Sequence, residues 1–276
     1  RGVVMDGSWC GTASLQDNIL KQVHTDYIRA GSQIITTNTY ASSRIMLKSA
    51  GFEKRFEEVN LKAVNSALKA REETGYKDVI IAGSISHRYP IADGDTKSNA
   101  SIQVSKLELQ EATEEMALLL TNNGCDIILL EMMYRPERMK IIFDIVKKLN
   151  IPIWVCFSCR KSDKGEILSL TDETVVPFSE MIAISKEYNF DAWGIMHTSE
   201  DILGECIKMI KANFNGPILS YPDTGGWISP NWIFDSVIEP EKFKEKANGW
   251  FALGAQIIGG CCGTSPDHIR ALATLK

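Results

Sequence analysis

The chain has 276 residues, of which 44% are apolar and 24% are charged, and its formal net charge is −5. These values match ordinary globular proteins and exclude a disordered chain, because there is ample apolar material for a core. The sequence has no Lys/Arg cluster interleaved with aromatic residues and no apolar run near the ~20 residues of a membrane span, so neither nucleic acid nor membrane is an expected partner.

Short apolar, β-branched runs alternate along the chain with longer segments of helical periodicity. Strands are predicted at 3–6, 33–37, 79–83, 126–131, 153–157, 192–196, 217–221 and 256–259. Helices are predicted at 15–30, 52–74, 104–123, 137–149, 176–188, 199–212, 240–253 and 266–275. The longest irregular stretches, 86–101 and 159–172, are predicted to be loops. Ser199 and Ser265 precede acidic first turns and are predicted to cap the helices that follow.

Such alternation predicts an α/β fold in which a parallel sheet is covered by helices. Eight strand–helix units favour a closed (β/α)8 TIM barrel, and the chain length lies near the ~250 residues typical of that fold. We therefore expect a single barrel domain over residues 1–276, with an open doubly wound sheet as the alternative. In a barrel of this kind the active site lies at the C-terminal ends of the strands.

Polar residues collect at these predicted strand ends. They are Asp6, Thr37, Asn38, Ser84, Glu131, Ser158, His197, Tyr221, Asp223, Cys261 and Cys262. Asp6 and Glu131 directly follow apolar runs, where a partly desolvated carboxylate can hold a substrate ammonium or take part in proton transfer. A buried hydrogen-bonding acid is the alternative interpretation of each.

Cys261 and Cys262 are adjacent in the segment IIGGCCGTSP. Consecutive residues of a regular strand point to opposite faces, but the flanking Gly259, Gly260 and Gly263 permit backbone angles that turn both thiols inward. Two thiolates favour zinc, and a catalytic zinc needs about three protein ligands and one open position. Two unrelated core cysteines or a redox pair are the alternatives.

His197 ends the sixth predicted strand and is the preferred third ligand, because it should face the same barrel mouth; a capping or surface histidine is the alternative. Cys156 and Cys159 have the C-x-x-C spacing of a metal or redox motif, but strand alternation separates their side chains. They rank below His197, with Cys159 as the reserve ligand. The remaining cysteines, Cys10, Cys125 and Cys206, are predicted to be structural.

The cysteine pattern also indicates the compartment. Seven cysteines are an odd number, irregularly spaced, so a secreted disulfide framework is not expected. The N-terminal RGVVMDGSWCGT lacks the long apolar segment of a signal peptide. We expect reduced thiols and a cytoplasmic protein.

Seven segments carry a resemblance that runs through nearly the whole chain: VMDG, AGSQIITTNTY, IAGSI, CDIILLEM, WGIMHTSEDI, SYPDTGGW and GGCCGTSPDHIRAL. They resemble the homocysteine S-methyltransferase family; the last segment is highly specific and the others are individually weak. The resemblance implies a zinc-bearing barrel that transfers a methyl group to the thiol of homocysteine, giving methionine. It also implies that Asp6 and Glu131 bind homocysteine and that Cys261 and Cys262 are two of three zinc-binding thiols.

The sequence departs from the family pattern at WGIMH, where Met196 and His197 replace an asparagine and the first zinc-binding cysteine. Histidine is itself a zinc ligand, so a site of two cysteines and one histidine is chemically reasonable and leaves a fourth position open. Two thiolates neutralise Zn²⁺, whereas three give a negative site. We therefore expect easier ionisation of a substrate thiol but a less nucleophilic thiolate.

The predicted activity is zinc-dependent methyl transfer to homocysteine. Glu131 and Asp6 would position the acceptor, with Gly7, Asn38 and Tyr40 as further substrate-binding candidates. Because the chain has no room for a second domain that carries cobalamin or folate, the donor is expected to be a small sulfonium such as S-methylmethionine, or betaine. A barrel that acts on another thiol and an inactive small-molecule-binding paralogue are the alternatives. The oligomeric state is left open, a homo-oligomer included.

Overall fold

The computed structural model describes residues 2–3, 8, 10–90, 102–171, 174–228, 231–233 and 237–275. The chain divides into two compact units. The first comprises Arg1–Leu129 and Asp144–Pro152, and the second comprises Leu130–Phe143 and Ile153–Lys276. None of the described helices is long and apolar enough to cross a membrane.

The first unit begins the alternation of helices and strands. It contains α1 (Asp17–Arg29), β1 (Ile34–Thr36), α2 (Arg44–Ser49), α3 (Phe56–Thr74), β2 (Ile80–Ser86), α4 (Lys106–Asn122) and the first part of β3 (Ile127–Met133), with short 3₁₀ helices at Gly11–Leu15 and Glu53–Arg55. β1 and β2 are parallel, with Ile34 opposite Ile80. α1 packs against α3, which buries Val59, Ala63 and Ala67 completely. These residues recur at helical spacing, so α3 is amphipathic along that face.

The second unit holds the remaining elements. They are α5 (Pro136–Val146), β4 (Ile153–Phe157), β5 (Cys159–Lys161), β6 (Ile167–Ser169), α6 (Phe178–Ser185), β7 (Ala192–Ser199), α7 (Glu200–Lys211), β8 (Ile218–Asp223), β9 (Gly226–Ile228), β10 (Asn231–Ile233), α8 (Pro240–Leu253), β11 (Ile257–Ile258) and α9 (Pro266–Leu272). β4, β7, β8 and β11 pair in parallel. Two antiparallel pairs, β5 with β6 and β9 with β10, stand apart from this sheet.

Seven strands form one sheet in the order β1-β2-β3-β4-β7-β8-β11. The strands of this sheet therefore follow one another in chain order, as in a (β/α)8 barrel, rather than reversing direction as in a doubly wound sheet. The predicted α/β barrel class is confirmed. The single-domain organisation over residues 1–276 stays a prediction.

The predicted strands agree closely with those observed. β4 has the predicted bounds, and β1, β2, β3, β7, β8 and β11 lie within or overlap six further predictions. The predicted strand at 3–6 falls mostly outside the described residues, as does most of the predicted loop at 86–101. Ser265 caps α9 as predicted, through the amide of Asp267.

Three details differ from the predictions. The stretch 159–172 is not wholly irregular, because β5 and β6 form a hairpin whose turn uses Gly165 at a φ of 84°. These strands have three residues each and are too short to show a sheet-like period in the sequence. The hydroxyl of Ser199 makes no capping bond, since β7 extends to Ser199 itself. α2, β9 and β10 were not among the predicted elements.

Candidate active site

His197 lies where β7 loses its regular register with β8. The pairing is regular up to Met196 and is resumed at Ser199, which faces Asp223. His197 has a φ of 42°, a conformation that side-chain-bearing residues adopt rarely and that is found at functional sites. Hydroxyl groups of Ser158 and Thr198 both donate to the Met196 carbonyl and so hold this irregularity in place. The bulge therefore decides the direction of the imidazole.

The two thiols lie on a tight turn after β11. The Cys261 amide donates to the Pro222 carbonyl, and the Cys262 carbonyl accepts from the amides of Thr224 and Gly225. Gly263 has a φ of 85°, and a Cβ there would lie 2.8 Å from the Gly225 nitrogen. A Cβ at Gly260 would lie 2.2 Å from the Thr264 side chain, whereas one at Gly259 would make only an ordinary contact. Gly260 and Gly263 therefore shape the turn, while Gly259 is not required for it.

His197, Cys261 and Cys262 come together at one point. Nδ1 of His197 lies 3.8 Å from each Sγ, and the two Sγ atoms lie 3.7 Å apart. In a tetrahedral zinc site the ligand bond lengths place two sulfurs about 3.8 Å apart and a sulfur and a nitrogen about 3.6 Å apart. The three atoms thus fit the first three corners of such a site. Among the described residues, this is the one group of three or more His, Cys, Asp or Glu side chains close enough to hold a metal ion.

Asp223 adds a carboxylate to this cluster. Its Oδ2 lies 3.3 Å from Nδ1 of His197, and about a fifth of each side chain is exposed. Burial raises the pKa of Asp223, and the nearby histidine opposes that effect. The pKa of Cys261 lies well above its ordinary value, because its thiol is hydrogen-bonded to Cys262 and is buried, although His197 acts in the opposite direction. The cluster is therefore rich in groups that a cation would stabilise in their charged form.

Glu131 lies near the end of β3 and is buried, with 8% of its surface exposed. The Tyr221 hydroxyl donates a hydrogen bond of 3.2 Å to its Oε1. The next residue, Met132, has a φ of 52°, and its amide donates to Sδ of Met196 at 3.0 Å. Met196, one of the two departures in WGIMH, thus bonds to the backbone beside Glu131. This buried carboxylate and the thiol cluster belong to the same compact unit.

An open groove of about 620 Å³ runs past His197 and Asp223. Arg160, Glu200 and Thr224 also line it. Its charged groups are of both signs, so it offers space for a zwitterionic molecule beside the cluster.

The family model for homocysteine S-methyltransferase matches residues 3–275. The chain belongs to the homocysteine S-methyltransferase family. Homocysteine S-methyltransferase 1 of Arabidopsis thaliana is 25% identical over 289 residues, which cover 98% of this chain and 87% of that protein. Selenocysteine methyltransferase of Astragalus bisulcatus is also 25% identical, over 92% of this chain and 81% of that protein. The predicted family is confirmed.

Solved structures show the shared fold. The oxidized and the metallated forms of the homocysteine methyltransferase MmuM from Escherichia coli each superpose with a TM-score of 0.79 at 23% identity. Each comparison covers 99% of this chain and 90% of that chain. The family fold thus extends over almost the full length of the sequence.

Four further residues of this family member were predicted to bind substrate. Asp6 and Gly7 fall outside the described residues. Asn38 and Tyr40 belong to the first compact unit. The amide of Asn38 donates to the Cys10 carbonyl and to the Ser14 hydroxyl, so it stabilises its own loop.

The two cysteines of the C-x-x-C motif lie on different strands. Cys156 lies on β4 and is completely buried, while Cys159 begins β5 and is buried as well. Neither belongs to the group of side chains that, among the described residues, lie close enough to hold a metal ion. The separation of their side chains by strand alternation stays a prediction.

Tyr221 and Asp223 were recognised in the sequence only as strand-end residues and were not chosen for the site. Both lie in SYPDTGGW, one of the segments that carry the family resemblance. Tyr221 contacts Glu131, which lies 90 residues away along the chain. Asp223 contacts His197, which lies 26 residues away. Two signals in the sequence pointed to them: the end of a predicted strand and this segment of the family resemblance.

Proposed function

We propose that the chain is a zinc-dependent methyltransferase that moves a methyl group from a small sulfonium or betaine-type donor to the thiol of homocysteine, giving methionine. The observation that carries the proposal is the triangle of 3.7–3.8 Å formed by His197 Nδ1 and the Sγ atoms of Cys261 and Cys262. Membership in the homocysteine S-methyltransferase family supports the class of reaction.

In this proposal His197, Cys261 and Cys262 hold zinc. The donor set of two soft sulfurs and one imidazole suits this ion, and three protein ligands leave a position for a substrate. When bound, zinc supplies a Lewis acid that lowers the pKa of a substrate thiol. Asp223 places a further negative charge beside His197, so it partly replaces the charge of the cysteine that the family pattern has at position 197.

Glu131 binds the ammonium group of the acceptor and thereby aligns its sulfur with the methyl carbon of the donor. A buried carboxylate is suited to this role, because low local polarity strengthens its attraction for a cation. Asp6, Gly7, Asn38 and Tyr40 stay the further candidates for substrate binding in the proposal. The methyl group then moves by in-line displacement, and the demethylated donor leaves.

The organisation of the protein forms part of the proposal. We infer a single domain over residues 1–276 and a cytoplasmic location. All seven cysteines lie in the described part of the chain and carry free thiols, which supports a reducing environment.

Metal analysis tests the candidate site. We expect about one zinc per purified chain, and a loss of most of it in His197→Ala and in Cys261→Ser, because each change leaves two ligands of three. Cys159→Ala is the matched control, since Cys159 was the reserve ligand and lies outside the group formed by His197, Cys261 and Cys262. Competition with a chromophoric chelator measures the change in affinity for each variant.

Two outcomes would contradict this site. If His197→Ala binds zinc as tightly as the natural chain, His197 is not a ligand. If Cys159→Ala loses zinc, the reserve ligand is the correct one. A natural chain that binds no zinc at all would favour an inactive small-molecule-binding paralogue, the possibility that the substitution at position 197 raises.

A methylation assay tests the acceptor and the donor. Homocysteine with S-methylmethionine is expected to give methionine, and betaine is the second donor to assay. Another thiol or a selenol is the alternative acceptor, an interpretation supported by the similarity to the selenocysteine methyltransferase of Astragalus bisulcatus. If selenocysteine is methylated faster than homocysteine, the proposed acceptor is wrong. The proposed zinc site would not be affected by that result.

A further inference from the structure

The carboxylate of Glu131 is held by a side chain from another strand. Glu131 lies on β3 and Tyr221 on β8, and both belong to the second compact unit. The Tyr221 hydroxyl lies 3.2 Å from Oε1 of Glu131 and is hydrogen-bonded to it.

The direction of this hydrogen bond follows from the chemistry of the groups. A carboxylate only accepts, and a phenol has a single proton, so the Tyr221 hydroxyl donates to Glu131. Burial raises the pKa of Tyr221, so the hydroxyl keeps its proton.

We propose that Tyr221 is a positioning residue that sets the orientation of the Glu131 carboxylate for the ammonium group of the acceptor. The inference rests on the proposed role of Glu131 in homocysteine binding. With Oε1 held by the phenol, the carboxylate has a fixed plane in which to receive a cationic group.

The position of Tyr221 suits this role. Its Cβ packs 3.6 Å from the place where a Cβ of Gly259 would lie, just before the turn that carries Cys261 and Cys262. It is also opposite Met196, the residue before His197, in the pairing of β7 with β8. One side chain therefore contacts the acidic end of the site and the backbone that leads to its thiol end. Glu131 and the two thiols are then held at a fixed distance. Such a site favours acceptors in which the ammonium group and the sulfur are separated by a matching distance.

The test compares homocysteine with 4-mercaptobutanoate, which is homocysteine without its amino group. The natural chain is expected to bind homocysteine more tightly in calorimetry. In Tyr221→Phe we expect homocysteine binding to weaken about tenfold, the size of a lost hydrogen bond to a charged group, with binding of 4-mercaptobutanoate unchanged. The KM for homocysteine should rise similarly, while kcat and zinc content stay near those of the natural chain.

Further variants separate positioning from general damage. Glu131→Gln should remove the preference for homocysteine, and adding Tyr221→Phe to it should cause no further loss, since the two residues act through one contact. Ser220→Ala is the matched control: this β8 hydroxyl is buried and has no hydrogen-bond partner among the described residues, so no change is expected.

Equal weakening of both ligands in Tyr221→Phe would overturn the proposal, as would additive losses in the double variant. A natural chain that does not distinguish the two ligands would overturn it as well. A natural chain that distinguishes them yet transfers no methyl group would contradict the proposed function while leaving the positioning role intact.

Discussion

His24 is a buried histidine that lies far along the sequence from the residues of the candidate site. It lies on α1 with 6% of its surface exposed, and Nε2 has no hydrogen-bond partner among the described residues. Burial lowers its pKa to about 4 from an ordinary value of 6.5. Between these two pH values the unfolded chain binds a proton that the folded chain does not, so the free energy of unfolding falls as the pH decreases.

We expect the titration of His24 to lower the free energy of unfolding by about 2–3 kcal/mol between pH 7 and pH 4.5. His24→Leu removes the titration, so its free energy of unfolding should depend less steeply on pH over that interval. Urea unfolding at several pH values measures the slope. The same slope in the variant and in the natural chain would show that His24 is accessible to protons in the folded state.

The side chain at position 197 shows how a single residue depends on its backbone. An imidazole at a regular strand position would follow the alternation of β7, but the φ of 42° and the shifted register redirect it toward Cys261 and Cys262. The residue type supplies the ligand atom, and the bulge supplies its direction. A regular continuation of β7 would separate the histidine from the thiols even with an identical sequence.

At the scale of the element, the turn after β11 depends on the absence of a side chain at Gly263. Gly263→Ala introduces a Cβ 2.8 Å from the Gly225 nitrogen at a φ of 85°. The turn must then move, and we expect weaker zinc binding together with a loss of stability of about 2 kcal/mol. Zinc competition and urea unfolding measure the two effects.

Gly75→Ala is the matched control for this change. Gly75 ends α3 with a φ of 76°, and a Cβ there would have no atom within 4 Å. Gly75→Ala should lower the free energy of unfolding by about 1 kcal/mol through backbone strain, and its zinc affinity should equal that of the natural chain. Equal zinc affinity in the two variants would indicate that the turn tolerates movement without displacing Cys261 and Cys262.

At the scale of the whole molecule, an ion bound to the folded chain should raise its thermal stability by mass action. Free zinc at a hundred times its dissociation constant adds about 2.7 kcal/mol to the free energy of unfolding. For a chain of this length that corresponds to a rise in Tm of roughly 5 °C. Thermal unfolding of chelator-treated protein, with and without added zinc, measures the shift.

The double variant Cys261→Ser/Cys262→Ser should show no such rise, because His197 alone is a weak site. A rise of the same size in the double variant would mean that zinc stabilises the chain elsewhere. The comparison thus separates binding at the cluster from binding at any other group on the protein.

The sequence by itself determined the fold class, because parallel strands and amphipathic helices leave local periodic patterns. It also identified Cys261 and Cys262, since adjacent thiols flanked by glycines are a local motif, and it favoured His197 through its place at a strand end. Strands of three residues such as β5 and β6 carry too little pattern to be predicted.

Only the tertiary structure decided which of these side chains meet. Cys261 and His197 are 64 residues apart, and Tyr221 and Glu131 are 90 residues apart, so no local pattern links them. Their contacts depend on the order of strands in the sheet, on the bulge at His197 and on the tight turn at Gly263. The residue types define the chemistry available to the chain, and the paths of β3, β7, β8 and β11 bring that chemistry to one place.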